Sequence, residues 1–295
     1  MRGSSFAESA HPFVKWAGGK GQLLRNLEVS IPKSFRTYYE PFLGGGAFFF
    51  HLVKTRPPFR AVLSDKNAEL IIAYQTVRNN VEDLILQLRE HKKRYRLSPK
   101  KYYYEVRDCQ PRGDIEKAAR LIFLNKTCYN GLYRVNQKGC FNVPHGQHRN
   151  PNICDGKNLR AVSNVLKLTE ASLSVADYEC ATRNAAANDL VYFDPPYQPV
   201  SSTSNFTSYT NCGFTFEDQC CLFSVFEKLD SRKCKILLSN SDVPEIKRMY
   251  SKFLVRRVKA LRAINCTGER RTGHTELIIT NYGVPRRQSK RSTFI

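Results

Sequence analysis

Residues Leu190-Val191-Tyr192-Phe193 form a short, wholly apolar run that stops at once on Asp194-Pro195-Pro196-Tyr197. A continuous apolar run of this length, closed by residues that cannot extend a ladder, reads as a central strand of a parallel sheet buried on both faces. Pro195 and Pro196 have no N–H to donate, so the strand ends there, at the carboxyl edge of the sheet. Open α/β sheets hold their ligands at that edge. An acid, a backbone carbonyl made accessible by rigid prolines and an aromatic ring suit the grip of a planar ring whose amino group reacts. Asp194 and the Pro195 carbonyl accept the two hydrogens of an exocyclic amine, and Tyr197 stacks on the ring. Alone, such a segment is more often a strand followed by a proline turn, so what accompanies it decides.

Upstream, Tyr38-Tyr39-Glu40-Pro41-Phe42-Leu43-Gly44-Gly45-Gly46-Ala47 runs into the apolar Phe48-Phe49-Phe50-His51-Leu52-Val53. The order is strand, glycine turn, helix. Glycines let the backbone approach a ligand closely and present helix N-terminal N–H groups to it, although a tight turn without a ligand uses them too. The next strand-like run, Arg60 to Ser64, ends at Asp65, 21 residues beyond Gly44. A strand-end acid at about 20 residues from a glycine turn is the arrangement that hydrogen-bonds a ribose. The unit therefore reads as a βαβ pocket for a cofactor carrying adenosine.

A third segment, Phe13-Val14-Lys15-Trp16-Ala17-Gly18-Gly19-Lys20, holds the chain's single Trp. It reads either as a loop over a ligand, with Lys20 set for a carboxylate and Trp16 for packing, or as a glycine turn opening a helix at Gln22 to Leu27. Taken together, in this order, the three segments resemble the Dam-type DNA adenine-N6 methyltransferases. The similarity runs from Phe13 to Tyr282 and includes Asn125 to Gly146 and Asn205-Phe206-Thr207-Ser208-Tyr209.

Composition is compatible with that resemblance. In 295 residues, 47 Lys and Arg stand against 26 Asp and Glu, a net charge of +21. Such an excess argues for a polyanionic partner, because neutralising phosphates releases counterions. The charge clusters at His91-Lys92-Lys93-Arg94-Tyr95-Arg96, Lys100-Lys101, Arg256-Arg257 and Arg270-Arg271, and in the tail Arg286-Arg287-Gln288-Ser289-Lys290-Arg291. The ten cysteines form no CxxC pair, so no zinc site is expected. No apolar run reaches the about 20 residues that span a bilayer. An intracellular, cytoplasmic or nucleoid-associated monomer with reduced thiols is expected.

The fold class expected is α/β: a Rossmann-like methyltransferase sheet with an inserted helical and β-hairpin DNA-recognition subdomain. Its divisions are 1–74 for the first part of the core, 75–165 for the insertion, 166–284 for the second part of the core and 285–295 for a basic flexible tail. Helical spacing of Leu70, Ile71, Tyr74, Val77, Val81, Leu84, Ile85 and Leu88 predicts a helix over 68–88. Pro99 to Leu124 reads as further helices. Tyr129 to Pro144 alternates like a hairpin turning at Asn136 to Gly139. Strands follow at Ser172 to Val175, Leu190 to Phe193, Lys235 to Leu238, Phe253 to Val258 and Glu276 to Asn281, the last two as an antiparallel edge.

By the resemblance, the methyl donor is S-adenosylmethionine and the partner is double-stranded DNA. Trp16, Lys20, Asp65 and Asp194 match cofactor positions; Glu40, Phe42, Gly44 and Gly46 shape the pocket, and Tyr178 lies near the cofactor adenine. On the DNA side, Arg134 matches a position that reads guanine, as an Arg fork can at O6 and N7. Lys15, Leu132 and Pro144 match further recognition positions, Asn136 sits on the same hairpin, and Tyr129 and Asn130 match the pair placed against the stack when a base leaves it. His148 departs from the Tyr of some relatives and leaves one flanking contact open. Asp194, Pro195, Pro196 and Tyr197 form the catalytic tetrad, acting on adenine in GATC after base flipping, with no metal. A cytosine-N4 enzyme generally has Ser at the position of Asp194; an RNA methyltransferase and an inactive basic DNA-binding module are the other readings.

Overall fold

The computed structural model describes residues 9–21, 23–196, 214–260 and 274–283. Its centre is a seven-stranded sheet of β1 (Thr37–Glu40), β2 (Arg60–Asp65), β3 (Ser172–Val175), β4 (Leu190–Phe193), β5 (Lys235–Ser241), β6 (Leu254–Ala260) and β7 (His274–Thr280), in the order β3-β2-β1-β4-β5-β7-β6. The ladders β3·β2, β2·β1, β1·β4 and β4·β5 are parallel, and β7 is antiparallel to both β5 and β6. The α/β class and the position of Leu190–Phe193 at the centre are as expected. The reversal of direction from β1·β2 to β1·β4 places a crevice at the carboxyl ends of β1 and β4, the usual place for a ligand in such sheets.

Helices are α1 (Leu24–Glu28), α2 (Ala47–Thr55), α3 (Ala68–Asn79), α4 (Val81–Leu97), α5 (Pro99–Asp108), α6 (Asp114–Thr127), α7 (Gly156–Leu168), α8 (Tyr178–Thr182), α9 (Phe216–Ser231) and α10 (Pro244–Met249). Strand alternation sorts the sheet's side chains to two faces. Tyr38, Ala61, Leu63, Tyr192, Leu237 and Ile278 pack with α2, α3, α4, α6 and α7, whereas Tyr39, Val191, Phe193, Ile236, Leu238 and Ile279 pack with α8, α9 and α10. The result is a three-layer arrangement in which buried apolar area supplies most of the stabilisation.

Three local expectations are corrected. The helix over 68–88 is broken at Asn80 (φ −131°, ψ 40°), where Asn79-Asn80 follows the last buried turn of α3; α4 then starts afresh with Glu82 and Asp83 in its first turn. Asparagine favours turns over helix interiors because its side chain competes for backbone hydrogen bonds. The basic segment 91–96 therefore lies on one long helix, α4. The hairpin is also shorter than expected. Tyr129–Gly131 is a 3₁₀ turn with Asn130 at φ 55°, and pairing is confined to bridges Val135–Phe141 and Cys128–His145. The expected turn over 136–139 is present: the Asn136 N–H donates to Cys140 O (2.9 Å) and the Gly139 N–H to Asn136 O (2.9 Å). The first helix spans Leu24–Glu28, later than expected, after a Lys20 carbonyl that accepts from the N–H groups of Leu23 and Leu24.

Candidate active site

Alternation along β4 puts Tyr192 and Asp194 on one face, and the β4·β5 register, with Phe193 opposite Leu238, brings Ser239 level with Asp194. The Ser239 hydroxyl donates to Asp194 Oδ1 at 2.8 Å and lies 3.1 Å from the Tyr192 hydroxyl. Lys20 Nζ pairs with the same Oδ1 at 2.9 Å and with Glu276 Oε2, on β7, at 3.8 Å. Lys20 is 7% exposed and the Asp194 side chain 17%, so this pair is largely withdrawn from water. Burial raises the Asp194 carboxyl above the usual carboxylate range, against the opposing pull of Lys20 and the Ser239 hydrogen bond. Pro195 is buried and Pro196 exposed. Tyr197, Asn205 to Tyr209, Arg270, Arg271 and the tail 285–295 lie outside the described residues.

The glycine turn adjoins this cluster. Gly44 has φ +49° and Gly46, at the N-cap of α2, φ +69°, backbone that L side chains rarely adopt. A Cβ on Gly44 would come within 2.8 Å of Trp16 Cδ1. One oxygen of Asp65 accepts the Gly44 N–H (2.9 Å) and the other the Asn67 N–H (2.9 Å), so the strand-end acid ties the turn after β1 to the start of α3. Burial raises Asp65 above its ordinary value, and these amides pull it back. Each carboxylate oxygen has two lone-pair sites, so acceptor capacity remains. On the other side of the turn, half-buried Phe42 stacks on Tyr178 (centroids 5.6 Å, 26°), and Phe214 meets both edge-on.

Glu40 is buried at the end of β1 and accepts the Tyr38 hydroxyl at 2.7 Å. Burial pushes its carboxyl up to about 8, which favours the neutral form near physiological pH. A neutral acid here avoids adding a negative charge near Asp194 and Asp65.

A second group of expected residues surrounds α6 and the segment after it. Asn125 accepts the Lys15 N–H (2.7 Å) and donates to Lys15 O (2.8 Å) and Gly131 O (3.0 Å), joining the N-terminal segment to the 3₁₀ turn. Trp16 stacks on Tyr133 (5.2 Å, 27°), whose hydroxyl donates to Glu69 at 3.0 Å. Tyr129, Asn130, Arg134, Asn136 and Pro144 are exposed, Leu132 half-buried. Arg134 donates to Asn142 Oδ1 at 2.7 Å and Asn142 O at 3.3 Å, across the hairpin. Pro144 O accepts the Tyr129 N–H at 2.9 Å. His148, the departure noted in the sequence, is tied to Cys128 O at 3.0 Å. Sequence reasoning missed Ser239, Tyr192 and Glu276; the polar Ser239-Asn240-Ser241 closing an apolar strand was the available signal.

Comparison with known proteins agrees with this architecture. The profile of the D12 class of N6 adenine-specific DNA methyltransferases matches residues 16–264. The chain is 42% identical over 287 residues to the Type II methyltransferase M.MjaIII of Methanocaldococcus jannaschii, covering 92% of this chain and 99% of that protein. It is 41% identical over 278 residues to the Type II methyltransferase M1.LlaDCHI of Lactococcus lactis subsp. cremoris, covering 92% and 95%. With the DNA adenine methylase of Escherichia coli it shares 31% over 272 residues, covering 90% and 93%. A sheet with one reversed strand, an acid closing its central strand and a match across nearly the whole length place the chain in one family: it belongs to the D12 class of N6 adenine-specific DNA methyltransferases.

Proposed function

We propose that this DNA adenine methyltransferase acts on double-stranded DNA at GATC, takes the target adenine out of the helix, and holds its N6 amine against Asp194 and the Pro195 carbonyl. Methyl transfer to adenine N6 is the family's activity, and S-adenosylmethionine is its donor. The main support for the finer reading is a partly buried carboxylate, braced by Lys20 and Ser239, at the carboxyl end of the central strand.

The residues at the crevice fit the donor. The positive-φ turn at Gly44 and Gly46 leaves no side chain between Trp16 and the backbone, Asp65 keeps acceptor capacity for hydroxyls, and Phe42 with Tyr178 offers an aromatic wall. Trp16, Lys20, Glu40, Phe42, Gly44, Gly46, Asp65 and Tyr178 would hold it. When bound, S-adenosylmethionine supplies an electrophilic methyl group on a sulfonium centre. The chain's own task is to make N6 a better nucleophile. Its lone pair is conjugated into the ring; two acceptors at the amine hydrogens favour the tetrahedral geometry and offset positive charge developing on nitrogen. Asp194 must be ionised for this, and Lys20 and Ser239 favour the ionised form against the upward pull of burial. Pro196 would stiffen the turn and Tyr197 stack on the base.

N6 cannot be reached inside a duplex, so extrusion of the base is required. Tyr129, 52% exposed, and Asn130 stand on a sharp turn suited to filling the vacated space. We assign Arg134 to guanine readout, with Lys15, Leu132, Asn136 and Pro144 beside it, and the exposed cations of α4 and α5 to phosphates. Residues 75–165 would then act as the recognition subdomain between the core parts 1–74 and 166–284, in a monomer. To test the proposal, random duplex DNA is methylated and N6-methyladenine mapped, with single-stranded RNA as competitor. Methylation confined to GATC is expected; another consensus would overturn the target, and preference for RNA the substrate.

A further inference from the structure

We propose that Ser239 is a positioning residue for Asp194: together with Lys20 it engages Oδ1 and thereby commits Oδ2 to the hydrogen of the target amine. This rests on Asp194 being the acid that receives the amine. Both donors converge on one oxygen, Ser239 at 2.8 Å and Lys20 at 2.9 Å. A carboxylate turns about its terminal bond through a broad, roughly two-fold well, so a single anchor would leave its plane loosely set. Two donors arriving from different elements, β5 and the N-terminal segment, define that plane.

Ser239 is itself held. It is fully buried, and because its hydrogen is given to Asp194 its oxygen accepts from Tyr192, also buried, at 3.1 Å. The relay Tyr192–Ser239–Asp194 thus joins three residues on one face of two adjacent parallel strands. Its geometry follows from register: Tyr192 pairs with Leu237 and Phe193 with Leu238, so Ser239 can only fall beside Asp194. A hydroxyl buried at this depth without function would be an expense that an apolar residue avoids.

The test is single-turnover methylation of a duplex carrying the mapped target, measured against pH. Charged and titratable groups facing the site are Lys20, Glu276, Glu40, Tyr38 and Tyr192, and the Glu40→Gln single variant, in which that acid no longer titrates, is both the background and the reference for every variant below. Ser239→Ala is expected to lower the rate constant about ten-fold, the usual scale for one hydrogen bond to a charged group. It also moves the acidic limb of the profile to higher pH, because a hydrogen bond that favours the ionised Asp194 is gone. Cofactor and DNA affinities stay unchanged. Ser239→Cys, a weak donor of similar shape, falls between the two, and Tyr192→Phe shifts the limb less in the same direction. An unchanged rate and limb in Ser239→Ala, with Asp194→Ala inactive, overturns the positioning role alone. Activity retained in Asp194→Ala overturns the role of the acid as well. If Ser239→Ala fails to fold, Ser239→Cys and Tyr192→Phe decide by the same limb.

Discussion

The carboxyl edge of the sheet and the hairpin segment after α6 are built by opposite means. At the edge, Asp194 is fixed by Ser239, 45 residues away, and by Lys20 from the other end of the chain, with every partner buried or nearly so. On the hairpin, Arg134 is fixed by Asn142, 8 residues away, and both are accessible to solvent. One region depends on the whole fold; the other depends on itself. On the proposed assignments, the chemistry is built into the core, where a change of one group disturbs several elements, while base readout would be carried on a local structure that can vary without disturbing the sheet.

The largest effect expected on that contrast comes from the edge. Asp194→Ala should reduce turnover by about 3 to 4 kcal/mol of transition-state stabilisation, the scale of one preorganised polar group, with the fold intact by circular dichroism. A folded variant with near-normal turnover would erase the distinction drawn above. Next is Glu40→Gln. Its folded pKa of about 8 lies above the unfolded value, so the native state binds the extra proton, and wild-type stability declines as pH rises from about 4.3 towards 8. The Gln variant should lack this decline and gain about 2 to 4 kcal/mol relative to wild type across that window, as read by urea unfolding at pH 5 and 8. Parallel pH dependence in both proteins would show that Glu40 is not held neutral.

A smaller loss is expected from Asp65→Asn. It should weaken S-adenosylmethionine binding by about 1 to 3 kcal/mol, measured by calorimetry, while DNA affinity without cofactor stays put. Unchanged cofactor affinity would detach β2 from the pocket. The least effect on rate, and the most informative on selectivity, belongs to the hairpin. Arg134→Ala should cost about 1 to 3 kcal/mol on the cognate site and relax discrimination at one base pair. Lys92 and Lys93 changed together to Ala should instead weaken binding to all sequences alike and flatten the salt dependence. Equal losses on cognate and single-base variant sites would reduce Arg134 to a backbone contact.

Much of the edge was legible because its strands are continuous apolar runs closed by polar residues. Leu190–Phe193 ends at Asp194 and Arg60 to Ser64 at Asp65, and in both cases the acid sits at the carboxyl end of a strand. The partners of those acids were not legible. Lys20 reaches Asp194 and Glu276 only through the sheet order and the reversed β7, which no local pattern encodes. For the same reason Ser239 was passed over: a serine after Ile236-Leu237-Leu238 acquires meaning only from its register with β4. The helix expected over 68–88 failed at Asn80, since apolar spacing continues through a break when the second helix packs on the same core. On the hairpin, alternation extended the strand reading over Tyr129 to Gly131, where positive φ at Asn130 and Gly131 closes a turn instead.

Trp16 sits where the two regions meet, stacked on Tyr133 of the hairpin side and packed over Gly44 of the crevice. It is the chain's single tryptophan, so one indole reports on both. Its emission depends on local polarity and on ring neighbours, so a ligand in the crevice would change the first and a rearranged hairpin the second. On the proposed assignments the unmodified protein would carry its own optical gauge of the order in which the two ligands arrive, and a stopped-flow trace is expected to separate the arrivals without a label.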